Sequence, residues 1–383
     1  MHRDAVVIID GSGVIASGDE SVFQRHNDYA EELSRASGEK LILVIAGSRK
    51  LLQYSSENMS NSLVIASSRL KRFHFFSTLF GLGRILDDLA VNPRLFVVGD
   101  PWKSGLIGVL MMRLKYRRVP FQLQIHADYA APGWKSQTLR NFFKYELAQW
   151  IVSKYKFIRV VSKNQASNIN FVPDQVVEVI PVSLSKRIGT SRQKFTLTEL
   201  SFGFFGRLHK DRGTELLIDV FQRLLEQNPD VNLVIGGDGP ERSRISNALV
   251  DRFPVQVTYL GEVSQKESDK FWNQVNVFIS LAPFESYGRA IRESLLNACP
   301  VLALPSSGAL DLAERVGDKW IALIRPSDSP DQILDKAQNL VKMGTRESVR
   351  ESQVLCKNSG ELLVQAWIKI IGDLSVLSQN RDN

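Results

Sequence analysis

The sequence predicts an α/β protein with two doubly wound parallel-sheet domains in tandem. Short apolar runs alternate with longer segments of helical periodicity in the first half of the chain, and the same alternation starts again near residue 200. Strand–helix alternation is typical of a parallel sheet covered by helices on both faces. The 383 residues, 44% of them hydrophobic, are enough for two domains of ordinary size with a core each. Two such domains in tandem are compatible with a cleft between them.

In the first half, apolar runs predict strands and periodic segments predict helices. The predicted strands are Ala5–Ile9, Leu41–Ile45, Ser62–Ile65, Leu95–Val98, Phe121–Ile125 and Phe157–Val161. The predicted helices are Phe23–Ser37, Leu106–Tyr116 and Leu139–Lys154. We assign these elements to a first domain over residues 1–185. The polar, basic residues from Ser183 to Lys194 are interpreted as the linker.

The second half predicts another sheet of the same kind over residues 195–360. Its predicted strands are Leu200–Phe205, Val231–Ile235, Val255–Leu260, Val277–Leu281, Val301–Leu304 and Ile321–Ile324. Its predicted helices include Gly213–Gln227 and Arg289–Asn297. The last segment, residues 361–383, contains an amphipathic helical pattern from Glu361 to Leu374. A helix there can pack back onto the first domain and join the two domains.

Composition excludes several classes of protein. No run of about 18 uninterrupted apolar residues is present, so no spanning helix is predicted. The apolar stretch Ala5–Ile9 is short and ends at Asp10, which indicates a first strand rather than a signal peptide. Cys299 and Cys356 provide neither metal-ligand spacing nor a disulfide framework, which is typical of a reducing cytoplasm. We therefore expect a cytoplasmic protein.

Charge is distributed unevenly along the chain. The net charge is +7, yet residues 101–163 alone contain twelve Lys or Arg against two acids, Asp128 and Glu146. This region therefore has a net charge of +10 and the remainder of the chain −3. A basic half beside a mildly acidic half predicts that one domain faces an anionic surface.

The segment Pro283–Glu293 is the most informative stretch for function. Glu285 and Glu293 lie eight residues apart, between a strand-like run and an apparent helix. In open α/β sheets, ligands bind in the crevice at the carboxyl ends of strands. Two carboxylates can hold the ends of a ligand whose anionic middle faces free N–H groups of the helix. A nucleotide sugar has this layout, with sugar, diphosphate and ribose in a row.

Two further strand ends supply groups suited to a diphosphate. Gly206–Glu215 follows the first strand of the second domain and brings cations to the start of a predicted helix. The next strand ends in Gly236–Pro240, where glycines allow a tight turn and close backbone approach to a ligand. A solvated basic turn and an ordinary surface turn are the alternatives for these segments taken alone.

Together these motifs resemble a known family. Arg207, Gly236–Pro240, Tyr259-Leu260-Gly261 and the pair Glu285 and Glu293 occur in the order and spacing of retaining glycosyltransferases of family 4, which have the GT-B fold of two Rossmann-like domains. The resemblance is strong over about residues 200–325. In the first domain it rests on the segments Gln124–Asp128, Val160–Ser162 and Val179–Pro181.

The resemblance implies a role for each matching residue. Glu285 would hold hydroxyls of the donor sugar, and Glu293 would accept hydrogen bonds from the ribose. Arg207 would stabilise the departing diphosphate, assisted by Lys210 or Arg212. The remaining contacts would come from His126 beside the donor sugar, from backbone amides around Ser286, Tyr287 and Gly288, and from Gly261 and Val263 against the nucleobase.

Several positions depart from the family pattern. The residue before Gly213 is Arg212 where the family usually has lysine, and a guanidinium does not substitute directly for an ammonium. Ala298 stands where a glycine is usual, and Asp311 where glutamate is usual. Val182-Ser183 replaces Asn-Gly, and Asp10–Gly13 is only a loose match to a glycine-rich turn. None of these changes removes a charged group from the predicted donor site.

The family implies metal-independent transfer with retention of anomeric configuration and no cofactor besides the sugar donor. The sequence contains no Asp-x-Asp pair. A glycosidase-like use of Glu285 and Glu293 as acid and base is the alternative mechanism, and spacing alone does not exclude it. A nucleotide-sugar epimerase, a phosphorylase on the same scaffold and a non-catalytic lipid- or nucleic-acid-binding module are the alternative functions.

Two basic and aromatic patches in the first domain predict a membrane partner. One is Arg69–Phe80, and the other combines Met111–Arg118 with Trp134–Lys156. Such composition suits a helix on an anionic membrane, although it also suits nucleic acid. Because the acceptors of the family are often lipid-linked saccharides, we expect peripheral binding to the inner face of the cell membrane and no nucleic acid.

Overall fold

The computed structural model describes the chain over residues 3–10, 20–46, 63–68, 74–182, 200–264, 267–344 and 358–379. The chain divides into two compact units. The first consists of Met1–Ser183 together with Asn358–Asn383, and the second of Leu184–Lys357. The final segment therefore belongs to the first unit, and the second unit ends a few residues before the expected boundary at 360. The expected linker, Ser183 to Lys194, lies outside the described residues.

The first unit is a parallel sheet with the doubly wound strand order. Its described strands are β1 (Arg3–Asp10), β2 (Lys40–Ala46), β3 (Leu63–Ser68), β4 (Val91–Gly99), β5 (Phe121–Ile125), β6 (Phe157–Val160) and β7 (Val176–Val179). Their spatial order is β3-β2-β1-β4-β5-β6-β7, with every neighbouring pair parallel. The strand order reverses between β1 and β4, so the topological switch point lies at the carboxyl ends of these two central strands.

Burial explains which strands the sequence predicts. The five residues Ala5–Ile9 of β1 are all buried, because a central parallel strand is covered on both faces and reads as a continuous apolar run. Strand β7 lies at the sheet edge and has no buried residue; it was not predicted, although three of its four residues are valine.

Each described helix between residues 20 and 168 connects two consecutive strands of the first unit. They are α1 (Glu20–Ser37), α2 (His74–Asp88), α3 (Lys103–Leu114), α4 (Leu139–Val152) and α5 (Lys163–Asn168). Helix α2 was not predicted, because its segment was interpreted only as part of a basic, aromatic patch. Helix α4 begins at a side-chain cap, in which Thr138 Oγ1 accepts from the Asn141 N–H at 3.0 Å.

The second unit repeats the architecture. Its described strands are β8 (Leu200–Phe205), β9 (Val231–Gly236), β10 (Val257–Gly261), β11 (Val277–Ser280), β12 (Val301–Ala303) and β13 (Ile321–Leu323). They form a parallel sheet in the order β10-β9-β8-β11-β12-β13. Each predicted strand of this half is confirmed, with ends shifted by no more than two residues.

The described helices of the second unit lie between its strands, except for the last, which follows β13. They are α6 (Thr214–Gln227), α7 (Arg242–Ile245), α8 (Ser268–Trp272), α9 (Arg289–Leu296), α10 (Ser307–Val316) and α11 (Pro330–Gly344), with a short 3₁₀ helix at Lys210–Arg212 and a π-helical turn at Ser246–Val250. Ala298, just after α9, has a φ of +51°. This left-handed region favours glycine, so the alanine keeps the backbone that a glycine would adopt.

The C-terminal helix α12 (Ser359–Gln379) packs on the first unit. Val364 and Trp367 are fully buried against a core that includes Phe23 and Tyr29. The indole of Trp367 meets the Tyr29 ring edge-on at 6.1 Å, and its Nε1–H donates to Gln122 Oε1 at 2.9 Å. The predicted return of the final helix to the first domain is confirmed. Within the described part of the chain, no helix combines the length and apolar character needed to cross a bilayer.

Candidate functional site

The loops that follow β8, β9 and β11 meet at the carboxyl edge of the second sheet. Strands β8 and β11 are the neighbours at which the strand order reverses, and ligands of doubly wound sheets bind at this position. A pocket lies here, lined by Gly206, Arg212, Glu285, Gly288 and parts of the adjoining strands. The structure therefore brings three of the predicted site residues, Arg212, Glu285 and Gly288, to one pocket.

Gly213 holds the β8 loop against the β11 loop. Its φ is +76°, and a Cβ atom built on it would lie 2.1 Å from the carbonyl oxygen of Leu281. Real Cβ atoms do not approach an oxygen so closely, and only glycine adopts this φ without cost. The close backbone approach places Arg212, the preceding residue, beside the β11 loop.

Replacing Gly213 by alanine should destabilise the second unit by more than the left-handed conformation alone explains. We expect about 1 kcal/mol from the positive φ plus a further loss from the clash with Leu281. The control is Gly38→Ala in the first unit, because Gly38 has a φ of +75°, donates its N–H to Ser34 O at the end of α1 as a left-handed cap does, and has open space around its Cβ position. Urea denaturation of both variants checks the difference in free energy of unfolding. Equal losses would contradict the proposed backbone contact.

The glycines after β9 pack on the β8 loop. A Cβ atom on Gly237 would lie 1.8 Å from the oxygen of Gly206, and one on Gly239 would lie 2.3 Å from the oxygen of Leu208. The Leu208 N–H also donates to Asp238 O at 2.9 Å. The sequence predicts that these glycines allow close approach of a ligand. In the structure they allow the close approach of two loops, which fixes the backbone on one side of the pocket.

Arg212 and Glu285 form an ion pair at the mouth of the pocket. Arg212 Nη1 contacts Glu285 Oε2, while Glu285 Oε1 accepts from the Gly288 N–H at 3.3 Å. The Glu285 side chain is 18% exposed and that of Arg212 is 39% exposed. The resemblance to the family implies that these two groups contact different parts of a ligand. The structure shows that they lie next to each other.

The other two cations of the β8 loop pair outside the pocket lining. Arg207 Nη2 lies 2.8 Å from Asp211 Oδ2, and Lys210 Nζ lies 3.4 Å from Glu215 Oε1. Their side chains are more than half exposed, and exposed ion pairs of this kind are held weakly. Both side chains can therefore reorient at little cost. The predicted role of Arg207 on the diphosphate stays a prediction.

Glu293 lies on the second turn of α9, as predicted, and pairs on its own helix. Its Oε1 accepts from Arg289 Nε at 2.9 Å. Ser286 and Tyr287 are each 5% exposed, so their side chains point into the protein. Gly288 caps α9 with a φ of +72°. This arrangement leaves backbone groups, rather than the side chains of Ser286 and Tyr287, for contact with a ligand.

A buried arginine that the sequence analysis missed supports the β11 loop. Arg292 is fully buried, its guanidinium lies 4.0 Å from the centre of the Tyr287 ring, and its Nε donates to Tyr287 O at 3.1 Å. Its Nη2 lies 3.2 Å from Oδ2 of the buried Asp311, which also pairs with Arg315. Burial lowers the pKa of Arg292, and the neighbouring Tyr287 and Asp311 oppose this shift. The sequence signal for this buried ion pair was Asp311, which stands where the family usually has glutamate.

Gly261 and Val263 lie at the carboxyl end of β10, the strand next to β9. Gly261 ends β10 with a φ of +70°, and its carbonyl accepts from the Gly237 N–H at 2.7 Å. Val263 is half-buried. The structure thus joins the predicted nucleobase segment to the turn that packs on the β8 loop.

His126 belongs to the first unit and follows β5 directly. Its Nε2 lies 3.4 Å from Gln124 Oε1, which also accepts from Nη1 of the buried Arg159 at 2.9 Å. The close packing around the imidazole and then the charge of Arg159 lower the pKa of His126. The residue is nevertheless exposed to solvent, so the effect of burial on the imidazole is only partial. A neutral imidazole at pH 7 can donate or accept a hydrogen bond at this exposed position.

Residues 189–354 match the family model described as glycosyl transferases group 1. The second unit is a group 1 glycosyltransferase domain. The matched residues include the whole pocket and each of the predicted donor-site residues of this unit, from Arg207 to Glu293. The match thus falls on the half of the chain for which the sequence resemblance was strongest.

Curated relatives of this glycosyltransferase domain share low identity. A GDP-mannose-dependent alpha-mannosyltransferase of Corynebacterium glutamicum is 28% identical over 110 residues, 29% of this chain and 24% of that protein. A 2-deoxystreptamine N-acetyl-D-glucosaminyltransferase of Niallia circulans is 22% identical over 65% of this chain and 67% of that protein. A capsular polysaccharide biosynthesis glycosyltransferase, CapM of Staphylococcus aureus, is 24% identical over 57% of this chain and 60% of that protein. The chain thus spans from about a quarter to two thirds of these relatives.

Solved structures show the fold over the whole chain. TarM of Staphylococcus aureus aligns with a TM-score of 0.66 at 12% identity, covering 97% of this chain and 99% of that one. A sucrose-phosphate synthase from Thermosynechococcus elongatus gives 0.64 at 14% identity, covering 99% of both chains. Anabaena HepE in complex with UDP-glucose gives 0.62 at 14% identity, covering 99% and 100%. The predicted GT-B fold with two Rossmann-like domains is confirmed.

Proposed function

We propose that this chain transfers a sugar from a nucleoside diphosphate sugar to a saccharide or lipid-linked acceptor, with retention of anomeric configuration and without a metal ion. The observation that carries the proposal is the Arg212–Glu285 pair at the switch point of the second sheet. It combines a cation for a diphosphate and an acceptor for sugar hydroxyls in one pocket. The match of this unit to the group 1 glycosyltransferases supports it.

The transfer breaks the bond between the anomeric carbon and the diphosphate oxygen. Negative charge grows on that oxygen while the sugar acquires oxocarbenium character. Cations fixed beforehand stabilise the growing charge without reorganising during the reaction. Arg212 lines the pocket for this purpose, and the exposed Arg207 and Lys210 of the same loop can turn towards it. N–H groups at the start of α9 add the positive end of the helix.

The acceptor hydroxyl attacks from the face that the diphosphate leaves. Its oxygen forms the new bond to the anomeric carbon, and its proton passes to the departing diphosphate. Attack on the same face retains the anomeric configuration. In this scheme the leaving group is the base, so no protein carboxylate has to remove the proton.

The contacts of Glu285 and Glu293 favour binding roles over an acid/base pair. Each carboxylate has its own arginine partner, Arg212 for Glu285 and Arg289 for Glu293. A carboxylate held in place by an arginine can accept hydrogen bonds from sugar and ribose hydroxyls. Glu285 is therefore assigned to the donor sugar and Glu293 to the ribose. The neutral, partly accessible His126 is assigned to a hydrogen bond with the donor sugar.

Metal independence is proposed from the chemistry of the available side chains. Among the residues that the structure describes, no three His, Cys, Asp or Glu side chains are grouped to hold a metal ion. Three arginine and lysine side chains of the β8 loop supply positive charge instead. Transfer that continues in the presence of a chelator, at an unchanged rate, is the expected result.

The names of relatives support the choice of acceptor class. The Staphylococcus aureus relative is named for capsular polysaccharide biosynthesis, and a Streptococcus pneumoniae protein, 23% identical over 41% of this chain, is named as an alpha-monoglucosyldiacylglycerol synthase. Work on a polysaccharide precursor or a lipid at the cytoplasmic face of the membrane is the corresponding proposal for this chain.

A thermal-shift screen followed by product analysis tests the proposed function. Nucleoside diphosphates and their sugars are added to the protein one at a time. Those that carry one particular base are expected to raise the melting temperature, because a ligand that binds the folded state stabilises that state by mass action. The best donor is then supplied with a radiolabelled sugar and candidate acceptors. Label joined to the acceptor with the configuration of the donor, judged by NMR coupling, supports the proposal.

Other products would contradict it. Label recovered as an isomeric nucleotide sugar would identify an epimerase, and release of a sugar phosphate with inorganic phosphate would identify a phosphorylase. Failure of every nucleoside diphosphate to stabilise the protein would identify the second unit as something other than a donor site. The variant Glu285→Gln should keep nucleotide binding and lose selectivity for the sugar.

A further inference from the structure

Helix α4 has two opposite apolar faces, and only one of them is covered. Ala148, Ile151 and Val152 are fully buried against the core of the first unit. On the other side large apolar side chains are exposed to solvent: Leu139 81%, Phe142 43%, Phe143 69%, Leu147 42% and Trp150 42%. An isolated exposed apolar residue is common on proteins, but a contiguous set on one helix face marks an interaction surface.

These side chains form a stripe along the helix, in which the exposed Glu146 is the one charged residue, about 20° from Leu139 in projection. With 3.6 residues per turn, Leu139, Phe143 and Trp150 project within about 40° of one another, and Phe142 and Leu147 lie on either side. The stripe runs for about 17 Å at 1.5 Å per residue. Three aromatic rings lie along this length. We call this set the α4 stripe.

Cations surround the α4 stripe. Lys135, Arg140 and Lys154 are exposed, and Lys154 Nζ lies 5.6 Å from the centre of the Trp150 ring. Between Asp128 and Lys163 the sequence contains one acid, Glu146. Helix α3 packs beside α4 and is followed by the exposed basic segment Lys115–Arg118, of which Tyr116 alone is half-buried.

Charge and side-chain chemistry favour one occupant for the stripe. A nucleic acid would match the cations but would leave the aromatic rings facing phosphates. A second copy related by two-fold symmetry would bring two such basic surfaces together, each within a region of net charge +10. An anionic lipid surface offers headgroups to the cations and the acyl boundary to the rings.

We infer that α4 lies in the interface of a membrane that contains anionic lipids, with the α4 stripe inserted and Lys135, Arg140 and Lys154 against the headgroups. The inference rests on the proposed function only for the nature of the acceptor, which would be met at that surface. It also locates the membrane partner expected from the sequence. Trp134, part of the predicted patch, stacks on Trp102 with ring centres 6.2 Å apart, so it supports the surface rather than forming the stripe. The other patch, Arg69–Phe80, lies partly outside the described residues.

Vesicle co-sedimentation tests the inference on the full chain at low salt. The vesicles consist of phosphatidylcholine, either alone or with about a third phosphatidylglycerol, which adds negative surface charge. The chain should bind the mixed vesicles and bind neutral ones at least about tenfold less. In the double variant Phe143→Gln, Trp150→Gln, binding to mixed vesicles should fall by at least about tenfold, because each ring contributes buried apolar area.

Controls separate loss of the stripe from loss of the fold. Val255→Gln removes a side chain that is 92% exposed on the second unit and should leave vesicle binding unchanged. Circular dichroism and the melting temperature of the double variant should match those of the parent chain, since both replaced residues are exposed. The single variant Trp150→Phe should remove the blue shift of tryptophan emission that accompanies insertion.

Three outcomes would overturn the inference. They are equal binding of the parent chain and the double variant, equal binding to neutral and anionic vesicles, and absence of binding to either. A change from dimer to monomer in the double variant, without any change in vesicle binding, would show that the stripe is covered by a second copy. Donor binding measured without vesicles reports separately on the proposed function, because the double variant should keep it.

Discussion

Replacing Arg212 by leucine should lower kcat for sugar transfer by about 10²–10³-fold, the range seen when a fixed donor to a developing oxyanion is removed. Arg212 lines the pocket and contacts Glu285, so the variant removes a cation from the diphosphate and leaves a half-buried carboxylate without its partner. The loss should appear mainly in kcat, because charge on the leaving oxygen develops in the transition state. Initial rates at saturating donor measure it.

A matched control for this prediction is Arg252→Leu. Arg252 contacts Glu226 in another arginine–glutamate pair of the same unit, whose side chains are about half exposed. Its loss should change kcat by less than about twofold, since exposed ion pairs contribute little. The variant Arg212→Lys should be intermediate, because it keeps the charge without the planar fork. If Arg212→Leu and Arg207→Ala both leave kcat unchanged, the assignment of the β8 loop to the diphosphate is wrong.

Truncating Trp367 to alanine should destabilise the first unit by about 3–5 kcal/mol, the usual cost of removing a large buried aromatic side chain. Trp367 is fully buried, meets Tyr29 edge-on and donates a hydrogen bond to Gln122. The variant therefore creates a cavity and removes the indole donor from a buried amide oxygen. Urea denaturation followed by circular dichroism measures the loss in free energy of unfolding.

The control for Trp367 lies on the same helix. Leu362 is 42% exposed, so Leu362→Ala should change stability by less than about 0.5 kcal/mol. If the two variants lost equal stability, the indole of Trp367 would not be the group that anchors α12. The second unit should unfold at an unchanged urea concentration in both variants, since neither residue belongs to it.

The fold was predictable where burial imposes a simple pattern. A central parallel strand such as β1 is covered on both faces, so its residues Ala5–Ile9 appear in the sequence as an unbroken apolar run. Strand β7 was missed although three of the four residues in Val176–Val179 are valine, which is enriched in strands. Helix α2 was missed because its apolar and basic residues were interpreted as a surface patch. The amino-acid composition of a surface segment does not by itself distinguish a helix from a loop.

The candidate site was predictable as a set of strand ends but not as a set of contacts. Glycines and charged residues after apolar runs located the loops, because parallel strands end at a common edge. The Arg212–Glu285 and Arg292–Asp311 pairs join residues 73 and 19 positions apart. Such pairs depend on loop backbones that periodicity does not describe. A buried arginine is also rare enough that the sequence alone gives little reason to expect one.

The return of α12 to the first unit has a consequence for how the protein is made. Residues 184–357 form one uninterrupted segment, so during synthesis the second unit can complete its core while the C-terminal helix is still unmade. All seven described strands of the first unit are made by Ser183, yet the cluster around Phe23 and Tyr29 lacks Val364 and Trp367 until the helix leaves the ribosome. Domains usually fold in the order of synthesis. Here the half that is translated first is the last to be finished, and its open apolar surface is the one that a chaperone would meet.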